Sequence, residues 1–226
     1  MESYYIKDLY ITTSERYLWQ AEIRFSRKNT IIVQAPERSG KTFLCRDEAI
    51  DFINSMKAGS NILYFNPKEG EAARVTYAIQ ILLNRMNVHS DLTKNNVYIV
   101  EDQFRDTALF APASVEAFAK ALASGYRFQE VVIDDADTLN PTLLHTALLK
   151  AKVDDAKFLA TGTGTPTGGN KKDIFFWLMN NPGVDAYRVH LPSPIYCTAP
   201  EFIKKGTESL ADRIRKMLAN SPVEVA

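Results

Sequence analysis

One loop, set between an apolar run and an amphipathic stretch, constrains this chain more than any other feature. The run covers residues 30–34, and the stretch places apolar side chains at helical spacing from Cys45 to Ile53. A tight loop at the start of a helix directs several backbone N–H groups to one point, where the positive end of the helix also attracts anions. The pattern therefore predicts a phosphate-binding loop made of Ala35, Pro36, Glu37, Arg38, Ser39, Gly40, Lys41 and Thr42.

The last two residues of this loop carry the chemistry that a nucleotide site needs. Lys41 is placed to reach the terminal phosphates, and the Thr42 hydroxyl is placed to be a ligand for Mg²⁺. The first position is Ala35 where such loops usually have glycine, so its backbone must adopt a conformation that alanine tolerates. The alternative is a plain helix start with a glycine turn, but Gly-Lys-Thr stands in the strand-loop-helix context that a phosphate loop demands.

A pair of acidic residues ends the most strand-like segment of the chain. Asp134 and Asp135 follow the apolar run 131–133. A carboxylate at such a strand end can hold Mg²⁺, and a second one beside it can orient and deprotonate an attacking water. We assign the metal role to Asp134 and the base role to Asp135. The alternative is that the acidic residues cap the next helix or solvate a loop.

Apolar periodicity predicts an α/β fold with a mostly parallel sheet between layers of helices. The predicted strands are residues 30–34, 61–65, 97–100, 128–133, 158–161 and 186–191. The predicted helices are residues 45–53, 72–86, 115–122, 141–148, 173–179 and 210–218, and a helix is favoured for 17–25. Two strands lie between the loop strand and the acidic strand, which is typical of phosphate-loop proteins with additional strands and a catalytic acid, rather than of kinases and GTPases.

Composition narrows the class of protein further. With 226 residues, we expect one domain over 1–226, with a core at about 15–191 and an irregular tail plus a C-terminal helix in 192–226. The 27 basic and 27 acidic side chains give no net charge, so any contact with nucleic acid must be local. Two cysteines cannot build a disulfide scaffold, and no apolar run approaches the ~20 residues of a membrane span.

A third segment, residues 158–169, runs from a strand into a loop rich in threonine and glycine. With this segment in place, the order of motifs resembles the ATPase domain of viral genome-packaging motors, the large terminase subunits. More distantly it resembles superfamily 1 and 2 helicases and the small packaging ATPases of membrane-containing icosahedral viruses. The resemblance implies that this loop couples hydrolysis to movement and that Thr161 and Thr165 sense the γ-phosphate. The alternative is an ordinary strand-to-helix connection.

The same resemblance suggests further site residues. Terminases carry a glutamine ahead of the phosphate loop that reads adenine, which implies Gln20, with Tyr17 stacking on the ring. They also use an arginine to stabilise charge as the γ-phosphate leaves. Arg38 is the candidate within the loop, and Arg105 and Arg127 are candidates for the site of a neighbouring subunit.

Taken together, the resemblance implies hydrolysis of ATP with Mg²⁺, coupled to translocation of double-stranded DNA that is held weakly and without sequence preference. It implies a homo-oligomeric ring, a portal protein as a further partner, and action in the host cytoplasm at the packaging vertex. Lys68 is placed where such motors touch a phosphate backbone. The alternatives are an ATP-dependent switch that acts with a protein partner on DNA, of the helicase-loader or transposition-regulator type, and a small-molecule kinase.

Three departures from the terminase pattern stand out. The expected base is Asp135 where terminases generally have glutamate, so its shorter side chain needs a closer or water-bridged approach. Ala35 replaces the first glycine of the loop. Packaging terminases usually continue into an RNase H-like nuclease. We expect that activity on another polypeptide or in a part of the protein outside this sequence, and the alternative is a motor that packages without cutting.

Overall fold

A sheet of nine strands organises the part of the chain that the computed structural model describes. That part comprises residues 6–10, 18–24, 26, 28–55, 60–85, 87–93, 96–101, 104–164, 174–181 and 183–190. The strands are β1 (Ile6–Tyr10), β2 (Thr30–Gln34), β3 (Asn61–Phe65), β4 (Ser90–Thr93), β5 (Asn96–Glu101), β6 (Phe104–Phe110), β7 (Glu130–Ile133), β8 (Lys157–Gly162) and β9 (Asp185–His190). The helices are α1 (Leu18–Arg24), α2 (Lys41–Ser55), α3 (Glu71–Arg85), α4 (Val115–Leu122), α5 (Pro141–Asp154) and α6 (Ile174–Met179).

The order of strands across the sheet is β1-β9-β2-β8-β7-β3-β6-β5-β4. Neighbours from β1 to β6 in this order are parallel, whereas β6 with β5 and β5 with β4 are antiparallel. One strand, β8, therefore lies between β2, which leads into the phosphate loop, and β7, which leads into the acidic pair. Because parallel strands end at one edge of a sheet, both motifs are brought to the same edge.

Helices cover both faces of the sheet. Successive residues of a strand point to opposite faces, so Ile31 and Val33 pack into one core and Ile32 into the other. The first core is completed by α1, α2 and α3, and the second by α4, α5 and α6. The result is a three-layer α/β fold with a mostly parallel sheet, which confirms the fold class predicted from periodicity.

Local signals explain where several helices begin. Asn140 accepts a hydrogen bond from the backbone N–H of Thr142, and Pro141 occupies the first turn of α5, as the sequence predicts. Ser114 caps α4 in the same way by accepting from Ala117 at 3.2 Å. In the described ranges, no helix is both long and apolar enough to cross a lipid bilayer.

Most predicted elements are present, but three strands were missed. The helix favoured over 17–25 is present as α1, and the strand predicted at 97–100 is β5. The strands β1, β4 and β6 were not predicted from the sequence. The strand β6 mixes charged and apolar residues, so it shows no clean alternation, yet it pairs in parallel with β3. All described residues lie within one compact unit, Met1–Pro192, and the predicted tail and closing helix lie outside the described residues.

Candidate functional site

The phosphate loop joins the end of β2 to the first turn of α2. Its start is anchored to the neighbouring strand, since the backbone N–H of Ala35 donates to the carbonyl of Gly162 at 2.9 Å. The two loop residues with positive φ are Arg38, at 56°, and Gly40, at 99°. Ala35 is not one of them, so the position that usually has glycine needs no glycine conformation here. The structure thus explains how the loop accommodates the alanine.

Lys41 is folded back over this loop. Its ammonium donates to the carbonyls of Ala35 at 3.0 Å and Pro36 at 2.9 Å, and the residue is 6% exposed. Burial lowers the pKa of Lys41, while the carboxylates of Asp135 and Asp134 act in the opposite direction. A bound phosphate would offer the ammonium a stronger acceptor than the two carbonyls. The side chain is therefore already placed across the opening of the loop.

The carboxylate of Asp134 accepts hydrogen bonds from several parts of the site. Its Oδ2 accepts hydrogen bonds from the Thr42 hydroxyl at 2.6 Å and from Nδ2 of Asn66 at 3.1 Å. Its Oδ1 accepts from the Thr161 hydroxyl at 2.8 Å and from the backbone N–H of Asp135 at 3.1 Å. Burial raises the pKa of this fully buried carboxyl, and the hydrogen bonds from the two threonines oppose the rise. Four elements therefore converge on one carboxylate.

The donor set fits Mg²⁺. A hydroxyl and a carboxylate oxygen lie 2.6 Å apart, in Thr42 and Asp134, and both are the hard oxygen ligands that this ion prefers. Mg²⁺ is usually held by one or two carboxylates plus phosphates and waters, rather than by a cage of protein ligands. The described residues contain no cluster of three or more His, Cys, Asp or Glu side chains suited to a metal.

Asp135 follows Asp134 in the chain and has a strained backbone conformation. Its φ of 54° and ψ of 40° are left-handed, which non-glycine residues adopt mostly in turns and at functional sites. The carboxylate oxygen Oδ2 forms an ion pair with the ammonium of Lys68 at 2.8 Å. Lys68 was expected near a phosphate backbone, and this contact was not predicted, because the two residues follow neighbouring strands, β3 and β7, that are far apart in sequence.

The start of the threonine and glycine loop is held from two sides. Oδ2 of Asp137 accepts from the backbone N–H groups of Thr163 at 2.9 Å and Gly164 at 3.0 Å, and from the Thr163 hydroxyl at 2.5 Å. Nε2 of Gln34 donates to the backbone carbonyl oxygens of Thr163 and Gly164, both at 3.3 Å. Arg188 in turn donates to Oε1 of Gln34 at 2.9 Å. This loop is thereby tied to both the acidic turn and the strand that precedes the phosphate loop.

A pocket of about 410 Å³ opens beside the phosphate loop. It lies between the first loop residues, 35–37, and the end of β9, residues 188–190, with Gln34 and Thr163 completing the lining. This volume is in the range of small-molecule sites in proteins. The site therefore has room for a group attached to a phosphate chain.

The other predicted site residues are placed as follows. Gln20 is buried behind the loop, where its Nε2 donates to the carbonyl of Gly40 at 3.0 Å, so it contacts the loop directly. Arg38 is an exposed residue of the loop. Arg127 precedes β7, at the edge of the sheet opposite the acidic pair, and its Nε donates to the carbonyl of Asp154 at 3.2 Å. Arg105 belongs to β6.

Two predicted residues, Tyr17 and Thr165, lie outside the described residues. The roles assigned to them, to Gln20 in reading adenine, and to Thr161 in sensing phosphate therefore stay predictions. Sequence reasoning missed Asn66, Asp137 and Gln34. Asn66 carried a usable signal because it directly follows a buried strand, β3, whose end lies at the same edge of the sheet as the acidic pair.

This fold and this site define the P-loop NTPase fold of the additional-strand type, in which a strand separates the loop strand from the acidic strand. Solved structures with a similar architecture include ATPase domains of large terminases and whole large terminases. The ATPase domain of the Thermus phage P74-26 large terminase has a TM-score of 0.59 at 15% identity, over 75% of this chain and 79% of that one. The resemblance predicted from the motifs is thus confirmed at the level of the fold.

Two longer proteins show the same likeness. The HK97 bacteriophage large terminase has a TM-score of 0.56 at 11% identity, over 75% of this chain and 38% of that one. The large terminase of a thermophilic bacteriophage has a TM-score of 0.51 at 15% identity, over 63% of this chain and 38% of that one. No protein-family model matches the sequence, and neither does any curated protein.

Proposed function

We propose that this protein is a Mg²⁺-dependent ATPase that drives movement of double-stranded DNA, as the motor of viral genome packaging. One observation carries the catalytic part of the proposal: the 2.6 Å contact of Thr42 with Asp134, made directly beside the phosphate loop, with Asp135 next in the chain. This arrangement supports the proposal, because the loop, two oxygen groups suited to a divalent cation and a second carboxylate lie at one edge of the sheet.

The residues of the chain divide the work of hydrolysis. The loop amides of residues 35–42 and the ammonium of Lys41 bind and orient the phosphates of ATP. Thr42 and Asp134 would hold Mg²⁺, and the bound ion would supply neutralisation of the charge on the phosphate oxygens. Asp135 orients a water for attack on the γ-phosphorus and accepts its proton as the bond to the bridging oxygen breaks, giving ADP and phosphate. We expect the base and sugar of ATP in the pocket of about 410 Å³ beside the loop.

Two observations support a motor. The turn at Thr163 and Gly164 is hydrogen-bonded both to Asp137, two residues after the expected base, and to Gln34, directly before the phosphate loop. We therefore expect a change in the bound phosphates to reach this turn through these few hydrogen bonds. The fold is also that of large terminase ATPase domains, including the one from Thermus phage P74-26. As part of the same proposal, the chain acts as a ring with a portal protein in the host cytoplasm.

The proposal is tested in two steps with purified protein. Phosphate release is measured from ATP with Mg²⁺, with EDTA in its place, and with Asp135→Asn. We expect turnover that needs Mg²⁺ and is lost in the variant, while ATP binding persists. Turnover is then measured with added duplex DNA, and movement is followed by displacement of a third strand from a DNA triplex. ATP hydrolysis without displacement would favour the ATP-dependent switch, and absence of hydrolysis would overturn the proposal.

A further inference from the structure

One glutamine side chain belongs both to the pocket beside the phosphate loop and to the contacts of the turn at Thr163 and Gly164. Gln34 is the last residue of β2 and lines the pocket of about 410 Å³. Its Nε2 donates to the backbone carbonyls of Thr163 and Gly164, both at 3.3 Å, and an amide nitrogen carries one hydrogen for each acceptor. Because both bonds are longer than usual, they depend closely on the orientation of the amide.

Arg188 sets the orientation of this amide from inside the same pocket. Gln34 and Arg188 are directly paired in the register of β2 with β9, and both line the pocket. Nε of Arg188 donates to Oε1 of Gln34 at 2.9 Å. Since the amide group is planar, a donor that fixes its oxygen also fixes the direction of its nitrogen. Arg188 therefore stabilises the orientation in which Gln34 donates to the turn, whereas the flipped amide would direct its oxygen at two carbonyls.

The same turn contacts the segment that carries Asp135. Oδ2 of Asp137 accepts from both backbone N–H groups of the turn, at 2.9 and 3.0 Å. A Cβ on Gly162 would lie 2.6 Å from Oδ1 of Asp137, so the two segments are in close contact. The hydroxyl of Thr138 donates to the carbonyl of Asp135 at 2.8 Å, which makes residues 135–138 one compact unit. We therefore expect a displacement of the turn to displace Asp135 as well.

We propose that Gln34 is a positioning residue that makes the turn at Thr163 and Gly164 respond to the nucleoside of a bound nucleotide. The inference rests on the proposed ATPase function, which places the base and sugar in this pocket, and it adds a substrate requirement. A nucleoside in the pocket lies against Arg188 and restricts that side chain, so the amide of Gln34 is held toward the turn. A phosphate chain without a nucleoside leaves the pocket open and the turn less firmly held, so it does not place Asp135 for full activity.

The first test measures hydrogen exchange of the turn with saturating ADP or with saturating inorganic pyrophosphate. Both ligands offer a diphosphate to the phosphate loop, and only ADP adds a nucleoside. In the wild type, ADP should slow exchange of the N–H groups of residues 163–164 about tenfold relative to pyrophosphate, the effect of one or two hydrogen bonds. Both ligands should protect the loop 35–42. In Gln34→Met the difference at the turn should disappear, and equal exchange with the two ligands in the wild type would overturn the proposal.

The second test separates the two ends of the amide by ATP turnover. Gln34→Met removes both ends, whereas Gln34→Glu keeps an oxygen for Arg188 and removes both N–H donors. Each variant should lower kcat about tenfold and leave KM within about twofold, because the phosphate loop itself is unchanged. Gln34→Glu should also keep the melting temperature of the wild type, since its ion pair with Arg188 replaces the hydrogen bond. Wild-type kcat in Gln34→Glu would show that the bonds to the turn have no role in turnover.

The third test is a double-mutant cycle with Arg188. Arg188→Met should lower kcat as Gln34→Met does, and Arg188→Lys should recover part of the loss because it restores a charged donor. In the Gln34→Met background, Arg188→Met should not lower kcat further, because Arg188 acts on the turn through Gln34. Arg85→Met, at an exposed arginine in the last turn of α3, is the matched control and should leave kcat and hydrogen exchange unchanged. Additive effects of the two substitutions on kcat would reject this route.

These outcomes distinguish the inference from the proposed function. If the wild type binds neither ADP nor pyrophosphate, the proposed function fails and the inference fails with it. If it hydrolyses ATP with Mg²⁺ but both ligands protect the turn equally, the role of Gln34 alone fails. If pyrophosphate does not protect the loop 35–42, exchange with ADP is compared with that of the ligand-free protein. Protection of the turn by ADP that persists in Gln34→Met would then reject the role of Gln34.

Discussion

The Thr42 hydroxyl donates to the carboxylate of Asp134 at 2.6 Å, across 92 residues of sequence. The contact joins the first turn of α2 to the end of β7. Thr161 from the intervening strand β8 meets the other oxygen of the same carboxylate at 2.8 Å. Three elements that were identified separately in the sequence therefore meet at one buried carboxylate. The substitutions most informative about the site are those that remove one of these contacts at a time.

Thr42→Ala removes the hydroxyl and should weaken the binding of Mg²⁺. We expect the Mg²⁺ concentration for half-maximal ATP turnover to rise about 10- to 100-fold, which is the usual effect of changing residues that support a metal site. Thr42→Ser keeps the hydroxyl and is the matched control, with turnover close to that of the parent. The measurement is ATP turnover over a titration of Mg²⁺. Identical titration curves for Thr42→Ala and Thr42→Ser would remove Thr42 from the metal site.

Lys41→Ala should abolish turnover by removing the cation that crosses the phosphate loop. Loss of one charged donor at a developing negative charge typically lowers kcat about 10²- to 10³-fold. The measurement is steady-state ATP hydrolysis, accompanied by a melting curve to show that the variant is folded. Lys152→Ala, at an exposed position near the end of α5, controls for loss of a lysine. Parental turnover in Lys41→Ala would contradict the site assignment.

The sequence predicted the motifs because their chemistry is local. The phosphate loop, its helix start and the acidic strand end are each encoded within a few residues, and Asn140 marks the start of α5 in the same way. Strand pairing is encoded differently. That β8 lies between β2 and β7 depends on packing between segments that are distant in sequence, and β6 lacks the alternation that would have indicated it.

The contacts missed at the site have the same origin. Asn66 reaches Asp134 from 68 residues away in sequence, and only the parallel pairing of β3 with β7 brings them together. The ties of Asp137 and Gln34 to the turn at Thr163 similarly require the order of strands. Residue type alone could not indicate them, because an Asn, Asp or Gln near a strand end is most often solvated.

Gly164→Ala should impair the turn that links the acidic residues to the phosphate loop. Gly164 has a φ of 64°, and a Cβ there would lie 2.3 Å from Nε2 of Gln34. The backbone strain costs about 1–2 kcal/mol, and the side chain of Gln34 must also leave its position. We expect a lower melting temperature and a fall in kcat that exceeds any change in KM.

Two other glycines serve as controls for this substitution. Gly70→Ala meets open space but has a φ of 77°, so it isolates the cost of backbone strain. Gly125→Ala meets open space without a positive φ and should be close to neutral. The three variants are compared by thermal melting and ATP turnover. If Gly164→Ala lowers turnover no more than Gly70→Ala does, the contact with Gln34 has no role beyond local strain.

Glu130→Met should stabilise the protein, and more strongly as the pH rises. Glu130 is fully buried in β7, and neither carboxylate oxygen has a hydrogen-bond partner among the described residues. Burial raises the pKa of Glu130 well above its ordinary value of 4.5, while the positive charge of Lys157 acts in the opposite direction. Folding therefore raises the pKa of this carboxyl. Its contribution to the stability of the folded state is fully present below the unfolded-state pKa and is lost as the pH rises through the folded-state pKa.

Methionine has a volume similar to that of glutamate and has no ionisable group. The stability of the variant therefore does not fall through ionisation at this position as the pH rises. We expect its free energy of unfolding to exceed that of the wild type by about 1–3 kcal/mol at pH 8, the usual cost of an unsatisfied buried polar group. The difference should shrink as the pH falls toward 4.5. The measurement is urea unfolding at several pH values, with Glu69→Met at an exposed glutamate as the control. A difference that stays constant between about pH 5 and pH 8 would show that ionisation of Glu130 is not coupled to folding.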